Sequence, residues 1–270
     1  MPAMDKLFAG SIPEIYDTHM VPLIFESYAV DLARRVAATA PLRVLETAAG
    51  TGVVTRALAP LLSESADYIV SDLNPPMLER AAARQGADAR ITWQQADALS
   101  LPFTAASFDA VVCQFGAMFF PDRVAGYREA MRVLKPGGRF FFSVWDRIEE
   151  NDFARIVMEV TGALFPDDPP RFITRTPHGY YDVALIEAEL RTAGFAEIEI
   201  TTVQHRSDAP DARTAATAYC QGTPLRNEIE ARDPDAVQAV TDRAAEAIAR
   251  AYGDGPVSGK IQAHVIVAQG

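Results

Sequence analysis

Cysteine is scarce: Cys113 and Cys220 are the two in 270 residues. Two thiols so far apart make no disulfide framework and no thiolate metal site. Such sparse usage suits a reducing, cytoplasmic setting. Cys113 stands in the apolar run 108–115 and reads as a core thiol. The histidines, His19, His178, His205 and His264, are scattered without metal-ligand spacing. Long apolar runs are also missing. None approaches the roughly 20 residues that cross a bilayer. The opening stretch MPAMDKLFAGSIPEIYD has no apolar segment flanked by basic residues, so no targeting segment is expected. There is no G-x-x-x-x-G-K-[ST] phosphate loop, no G-x-S-x-G nucleophile elbow and no H-E-x-x-H zinc helix. Positive charge is in deficit, with 25 Lys and Arg against 36 Asp and Glu, for a net charge of −11. Such a surface repels phosphate backbones and anionic lipid, so neither nucleic acid nor a membrane is an expected partner.

What is present is core material, 49% of the residues being apolar. The length suits one large α/β domain, with or without a cap. Residues 21–40 place Leu23, Ile24, Tyr28, Leu32 and Val36 near one face at helical spacing. From Leu42 a strand–turn–helix rhythm sets in. Strands are expected at 43–47, 67–72, 91–95, 108–115 and 139–145, the last after the turn KPGG (135–138). Helices are expected at 53–62, 75–85 and 122–134, with Pro75 and Pro76 where a first helical turn tolerates proline. Near-continuous apolar strands alternating with helices predict a doubly wound, mostly parallel α/β sheet. Beyond 146 the rhythm breaks. Helices at 151–164 and 182–193 flank an irregular, proline-rich stretch at 166–180. Gly194 marks a helix stop. Strands at 197–205 and 260–269 enclose a largely helical region, 211–252, with an apolar stripe from Ala236 to Ala251. The expected division is an N-terminal helical cap segment (1–41), a ligand-binding core (42–146), and closing strands with helical substrate-side insertions (147–270).

The sharpest local signal is VLETAAGTG (44–52), in which a strand ends at Glu46, small residues follow, and a helix starts after Gly52. Small residues let a ligand approach the backbone, and glycine accepts dihedrals that other residues avoid. The free amides of a helix start face a polar ligand, and Glu46 can meet a ligand ammonium. Asp72 follows about 20 residues after Gly52, at the end of the second strand, where a carboxylate accepts from ribose hydroxyls. Asp97 follows the third strand. A carboxylate there accepts from an adenine amino group, while Ala98 offers an amide, and Leu99, Leu101, Pro102 and Phe103 supply an apolar wall.

This order of motifs resembles that of class I S-adenosylmethionine-dependent methyltransferases, particularly the group related to ubiquinone and menaquinone biosynthesis enzymes. The likeness covers about 42–146 and the closing strands. The family turn is acidic-x-Gly-x-Gly-x-Gly, and here Ala48 stands at the first glycine. The resemblance implies a seven-stranded Rossmann-like sheet of order 3-2-1-4-5-7-6 with the last-numbered strand antiparallel. It further implies that Glu46, Ala48, Gly50 and Gly52 line the methionine and ribose part. Asp72 and Leu73 would hold the ribose and one adenine face, with Met77 packed on that face. Asp97 and Ala98 would read the adenine edge, Gln114 would lie beside the methionine moiety and reacting methyl, and KPGG would be structural. Tyr16, in the cap region, is a further candidate for contact with S-adenosyl-L-methionine.

The implied function is methyl transfer to a small or medium organic acceptor. A dedicated base is optional, and His19 and His178 are the histidines placed where one could serve. No catalytic residue and no oligomeric state is read from the sequence. Acceptor choice is expected in 1–30, 147–190 and 207–256, where Phe153, Phe165, Phe172, Tyr180, Tyr181 and Tyr219 lie. Other readings stand beside it, among them the same fold using the cofactor for a different transfer. A non-catalytic S-adenosylmethionine-binding protein would keep the same motifs. A nicotinamide-dependent oxidoreductase shares the turn and the later acid but requires G-x-G-x-x-G, which Val53-Val54-Thr55 interrupts.

Overall fold

The computed structural model describes residues 12–270, so the first part of the expected cap, 1–11, lies outside the described residues. Seven strands form one sheet: β1 (Arg43–Glu46), β2 (Asp67–Asp72), β3 (Ile91–Gln95), β4 (Phe108–Gln114), β5 (Leu134–Trp145), β6 (Glu197–Ala209) and β7 (Val257–Gln269). Their order is β3-β2-β1-β4-β5-β7-β6, and the four pairings among β1 to β5 are parallel. Burial along each strand follows from this order. The central strands β1, β2 and β4 are buried almost throughout, as strands covered on both faces must be. The edge strands β3 and β6 are half-exposed or alternating.

The chain divides into two compact units. One comprises Ser27–Val144, Tyr181–Val203 and Ala263–Gly270. It holds β1 to β4, most of β5, α2 (Glu26–Ala37) from Ser27 on, α3 (Val53–Leu58), α4 (Pro75–Gln85), α5 (Arg123–Val133) and α8 (Val183–Ala193). On one sheet face Leu32, Ala33 and Val36 of α2 bury against Val44, Val70, Ala110, Val112 and Phe141. The Tyr28 hydroxyl donates to the Val203 carbonyl at 2.9 Å. A second cluster is aromatic, with Phe140 and Phe142 stacked at 4.7 Å, and Tyr127 and Phe195 packed beside them. Cys113 is wholly buried, and burial pushes its thiol up to about 11, an inert core group.

The other unit comprises residues 12–26, Trp145–Tyr180 and Gln204–Gln262. It is built on α6 (Asp152–Leu164), α7 (Phe172–Arg175), α9 (Ala212–Gln221), α10 (Leu225–Glu230) and α11 (Ala236–Tyr252), preceded by the short α1 (Ile12–Ile15). Ala215, Ala216 and Ala218 are wholly buried on α9, and such small residues let α11 approach closely. The Glu228 carboxylate of α10 accepts the backbone N–H groups of Arg171 (2.6 Å) and Phe172 (3.0 Å) and an ion pair from Arg175 (2.7 Å). It thereby caps the first turn of α7, whose own amides have no helical partner.

The structure refines several sequence expectations. The predicted helix 21–40 is an α-helix only from Glu26, after a π-helical stretch Tyr16–Phe25 that contains Pro22. Proline has no N–H for an α-type bond and crowds the preceding turn. The helix at 53–62 ends at Leu58 and tightens into a 3-10 turn, Ala59–Leu61. KPGG is an excursion inside β5 rather than a turn before it. Phe108 pairs with Leu134 and Ala110 with Arg139, so residues 135–138 loop out, with Gly137 at φ 79°. The expected stripe on α11 ends at Ile248, Ala251 being exposed, and Thr241 and Ala245 join the buried face.

Replacing Glu228 by Ala removes the acceptor of two backbone amides and one ion-pair partner of Arg175. The expected cost is about 2–4 kcal/mol in urea unfolding, with faster hydrogen exchange at residues 171–175. Wild-type exchange in that segment would contradict the role.

Candidate functional site

Period-two alternation puts the side chains of Val44, Tyr68, Val70, Ala110, Val112 and Phe141 in one core. The next residues of the same parity toward the carboxyl ends are Glu46 on β1, Asp72 on β2, Gln114 on β4 and Ser143 on β5. Registers fix their levels: Glu46 pairs with Val70 and Val112, so Asp72 and Gln114 lie one pleat further on, and Gln114 pairs with Ser143. Four polar residues therefore line the carboxyl edge of four contiguous strands on one face. Ligands of open α/β sheets bind at this edge.

The turn after β1 is pinned from both sides. Thr47 N donates to Val112 O (2.8 Å), Ala49 N to Ser71 O (3.0 Å), and Ser71 Oγ to Glu46 O (2.9 Å). Ala48, Gly50 and Gly52 all take left-handed backbone, at φ 52°, 57° and 77°. Alanine at Ala48 costs strain that glycine avoids, and the fold makes room for its methyl. A Cβ on Gly116, just past β4, would lie 2.5 Å from Ala48 Cβ. At Gly50 a Cβ would meet nothing within 4 Å, so open space adjoins the backbone there. Gly52 packs on α4, where a Cβ would meet Ala81 at 2.9 Å.

Two acids flank this turn. Asp72 is 6% exposed and its two oxygens accept from Gly50 N (2.8 Å) and Asn74 N (2.7 Å). Burial raises its pKa, and these amide donors oppose the rise. Each oxygen keeps a lone pair for a ligand hydroxyl. Glu46 is 1% exposed. Burial pushes its carboxyl up to about 7, against the hydroxyls of Tyr68 and Thr55 and the charge of Arg56.

The remaining predicted residues lie in the same unit, Tyr16 excepted. Leu73 is exposed, with its carbonyl fixed by Gln95 Nε2 at 3.0 Å, and Met77 is buried in the first turn of α4. Asp97 is exposed, accepts from Leu99 N at 2.9 Å and bridges to Ser100, and Ala98 beside it is half-buried. Gln114 is half-buried at the end of β4. Tyr16 belongs to the other unit, its ring 5.4 Å from that of Phe25. His178, also there, donates from Nδ1 to the Asp146 carbonyl at 2.7 Å, which leaves the lone pair on Nε2. Burial lowers its pKa to about 4. His205 and His264 lie in strands, as expected, and His264 Nδ1 meets Thr202 Oγ1 at 3.0 Å.

Sequence reasoning missed Tyr68, Thr55, Gly116 and Ser143. Ser143 Oγ is buried without a hydrogen-bond partner, as is Thr51 Oγ1 in the turn. A short polar residue inside an otherwise apolar and aromatic run, FFFSVW, is the signal that could have found Ser143. Among the described residues no cluster of His, Cys, Asp or Glu could hold a metal ion.

Comparison with known proteins gives a consistent picture. A methyltransferase-domain family matches residues 44–138. The demethylmenaquinone methyltransferase of Clavibacter sepedonicus is 30% identical over 208 residues, covering 69% of this chain and 81% of that protein. The ubiquinone/menaquinone biosynthesis C-methyltransferase UbiE of Proteus mirabilis is 26% identical, covering 60% and 69%. Among solved structures, phosphoethanolamine N-methyltransferase 2 of Haemonchus contortus, in complex with S-adenosyl-L-methionine, has a TM-score of 0.60 at 17% identity, covering 98% of this chain and 59% of that one.

Asp72→Ala should weaken S-adenosylhomocysteine binding at least tenfold, about 1.4 kcal/mol, by calorimetry. Unchanged affinity in a folded variant would remove Asp72 from the site.

Proposed function

We propose an acceptor and a division of labour from one premise: the chain belongs to the class I S-adenosylmethionine-dependent methyltransferases, in the group of the UbiE-like quinone methyltransferases. It is an enzyme that uses S-adenosyl-L-methionine to methylate a small organic molecule. The nicotinamide and non-catalytic readings are not favoured by these relatives.

The residues present fit this cofactor. The turn leaves space at Gly50, Glu46 Oε1 accepts no hydrogen bond from the described residues, and Asp72 retains acceptor capacity. We assign Asp72 and Leu73 to the ribose and one adenine face, with Met77 behind, and Asp97 and Ala98 to the adenine edge. Glu46, Ala48, Gly50, Gly52 and Gln114 take the methionine part; Tyr16 belongs to the other unit. The polar row at the carboxyl ends of β1, β2 and β4, beside three alternate left-handed positions, is the observation that carries this assignment. S-adenosylmethionine supplies, when bound, a methyl group on a sulfonium, which makes it electrophilic. The protein's part is orientation and exclusion of water. Holding an acceptor atom in line can contribute about 7–11 kcal/mol, so a dedicated base is needed only if the acceptor must lose its proton early.

For the acceptor we infer an electron-rich ring of the reduced-quinone class, methylated at carbon, because relatives similar over most of their length carry that activity in their names. The family match, 44–138, falls wholly inside the unit that holds the turn. We therefore assign acceptor choice to 12–26, 147–180 and 207–256, the described parts of the expected acceptor segments that belong to the other unit. The reading includes a cytoplasmic place and no nucleic-acid partner, supported by sparse cysteine and a net charge of −11. Among the described residues no helix is long and apolar enough to cross a membrane.

Incubation with S-adenosylmethionine and a short-tailed demethylmenaquinol under reducing conditions should yield the ring-methylated product by mass spectrometry. The oxidised quinone should be inert. Exchanging 147–190 for the corresponding Clavibacter segment should reorder acceptor preference and leave cofactor affinity unchanged. Methylation confined to non-quinol acceptors would overturn the acceptor assignment.

A further inference from the structure

Glu46 is a carboxylate taken almost wholly out of water, which is unfavourable unless specific donors hold it. Both donors to it come from buried hydroxyls and both reach the same oxygen. Tyr68 OH, from β2, and Thr55 Oγ1, from α3 at 2.7 Å, donate to Oε2. Tyr68 and Thr55 are each 0% exposed. Among the described residues none donates to Oε1. The tyrosine cannot be traded for water, since its ring belongs to the core that includes Val44, Val70 and Val112.

We propose that Tyr68 is a positioning residue of the cofactor site: by donating to Oε2 it orients the Glu46 carboxylate, favours its ionised form, and leaves Oε1 for the cofactor's ammonium group. The proposal rests on the reading of Glu46 as the ammonium ligand. Other groups also act on Glu46. Arg56 of α3 favours its charge, Asp72 of β2 opposes it, and Cys113 of β4 is coupled to it as a neutral thiol. Burial dominates and pushes the carboxyl to about 7, so one donor more or less decides its charge near neutrality. Tyr68 itself is pushed well above its ordinary range and stays a donor throughout.

Glu46 binds an ammonium only when ionised. Losing the Tyr68 hydroxyl raises its pKa further, so affinity falls most at low pH and recovers as pH rises through the new pKa.

The experiment measures S-adenosylhomocysteine affinity by calorimetry from about pH 6 to about pH 9 for wild type, Tyr68→Phe, Glu46→Gln and the double variant. The ligand's own titration cancels in the ratio of two proteins' affinities. A pKa rise of about one unit predicts a wild-type to Tyr68→Phe ratio of about tenfold at the acid end, shrinking toward one at the basic end. In the Glu46→Gln background the ratio should be flat. The carboxyl carbon shift of Glu46 in the ligand-free protein should titrate near 7 in wild type and higher in Tyr68→Phe. If Tyr68→Phe does not fold, Thr55→Val, which removes the companion donor, should move the same two readouts in the same direction. A pH-independent loss, or none, with wild-type binding intact overturns the role of Tyr68 alone. Wild-type affinity in Glu46→Gln, or no binding by any of the proteins, overturns the ammonium reading and the proposal with it.

Discussion

Gly50 N donates to Asp72 Oδ2 at 2.8 Å, and this bond joins the two halves of the candidate cofactor site. It fixes the left-handed turn after β1 to the carboxyl end of β2, and it satisfies a carboxylate that burial would otherwise push toward neutrality. The parallel pairing of β1 with β2 and β4 sets both partners at the right level before any ligand is present. The rest of the site hangs on that frame. Glu46 lies one pleat inward, Gln114 one strand across, and Ser143 one strand beyond it.

Burying Glu46 and Asp72 side by side is expensive, and the sequence around them answers that cost locally. Backbone amides serve Asp72, and hydroxyls from two elements serve Glu46. Both pKa values remain raised. A cation or a hydrogen-bond donor would favour their charged forms, which is compatible with the proposed cofactor. Ala48 shows the same economy in the backbone. A methyl at left-handed φ survives because Gly116 vacates the space beside it.

Much of this was legible in the sequence. Apolar strands punctuated by small-residue turns gave β1 to β4 nearly to the residue, because central parallel strands are buried on both faces. The acids at 46, 72 and 97 were readable because their chemistry depends on strand ends. The π-helical stretch around Pro22 was not readable, since a helical stripe looks much the same with an altered turn. The excursion at 135–138 was hidden for a related reason: KPGG announces a break but not that pairing resumes the same strand. Tyr68 and Thr55 were invisible because their partnership with Glu46 requires cross-strand register and the placement of α3. The two units, each assembled from three separated stretches, leave no local signature.

A crystal structure with S-adenosylhomocysteine tests the central claim most directly. The account predicts ribose hydroxyls on Asp72, the adenine edge at Asp97 and Ala98, and the amino group at Glu46 Oε1. A ligand bound elsewhere, or one that reaches the turn without touching Asp72 or Glu46, would contradict it.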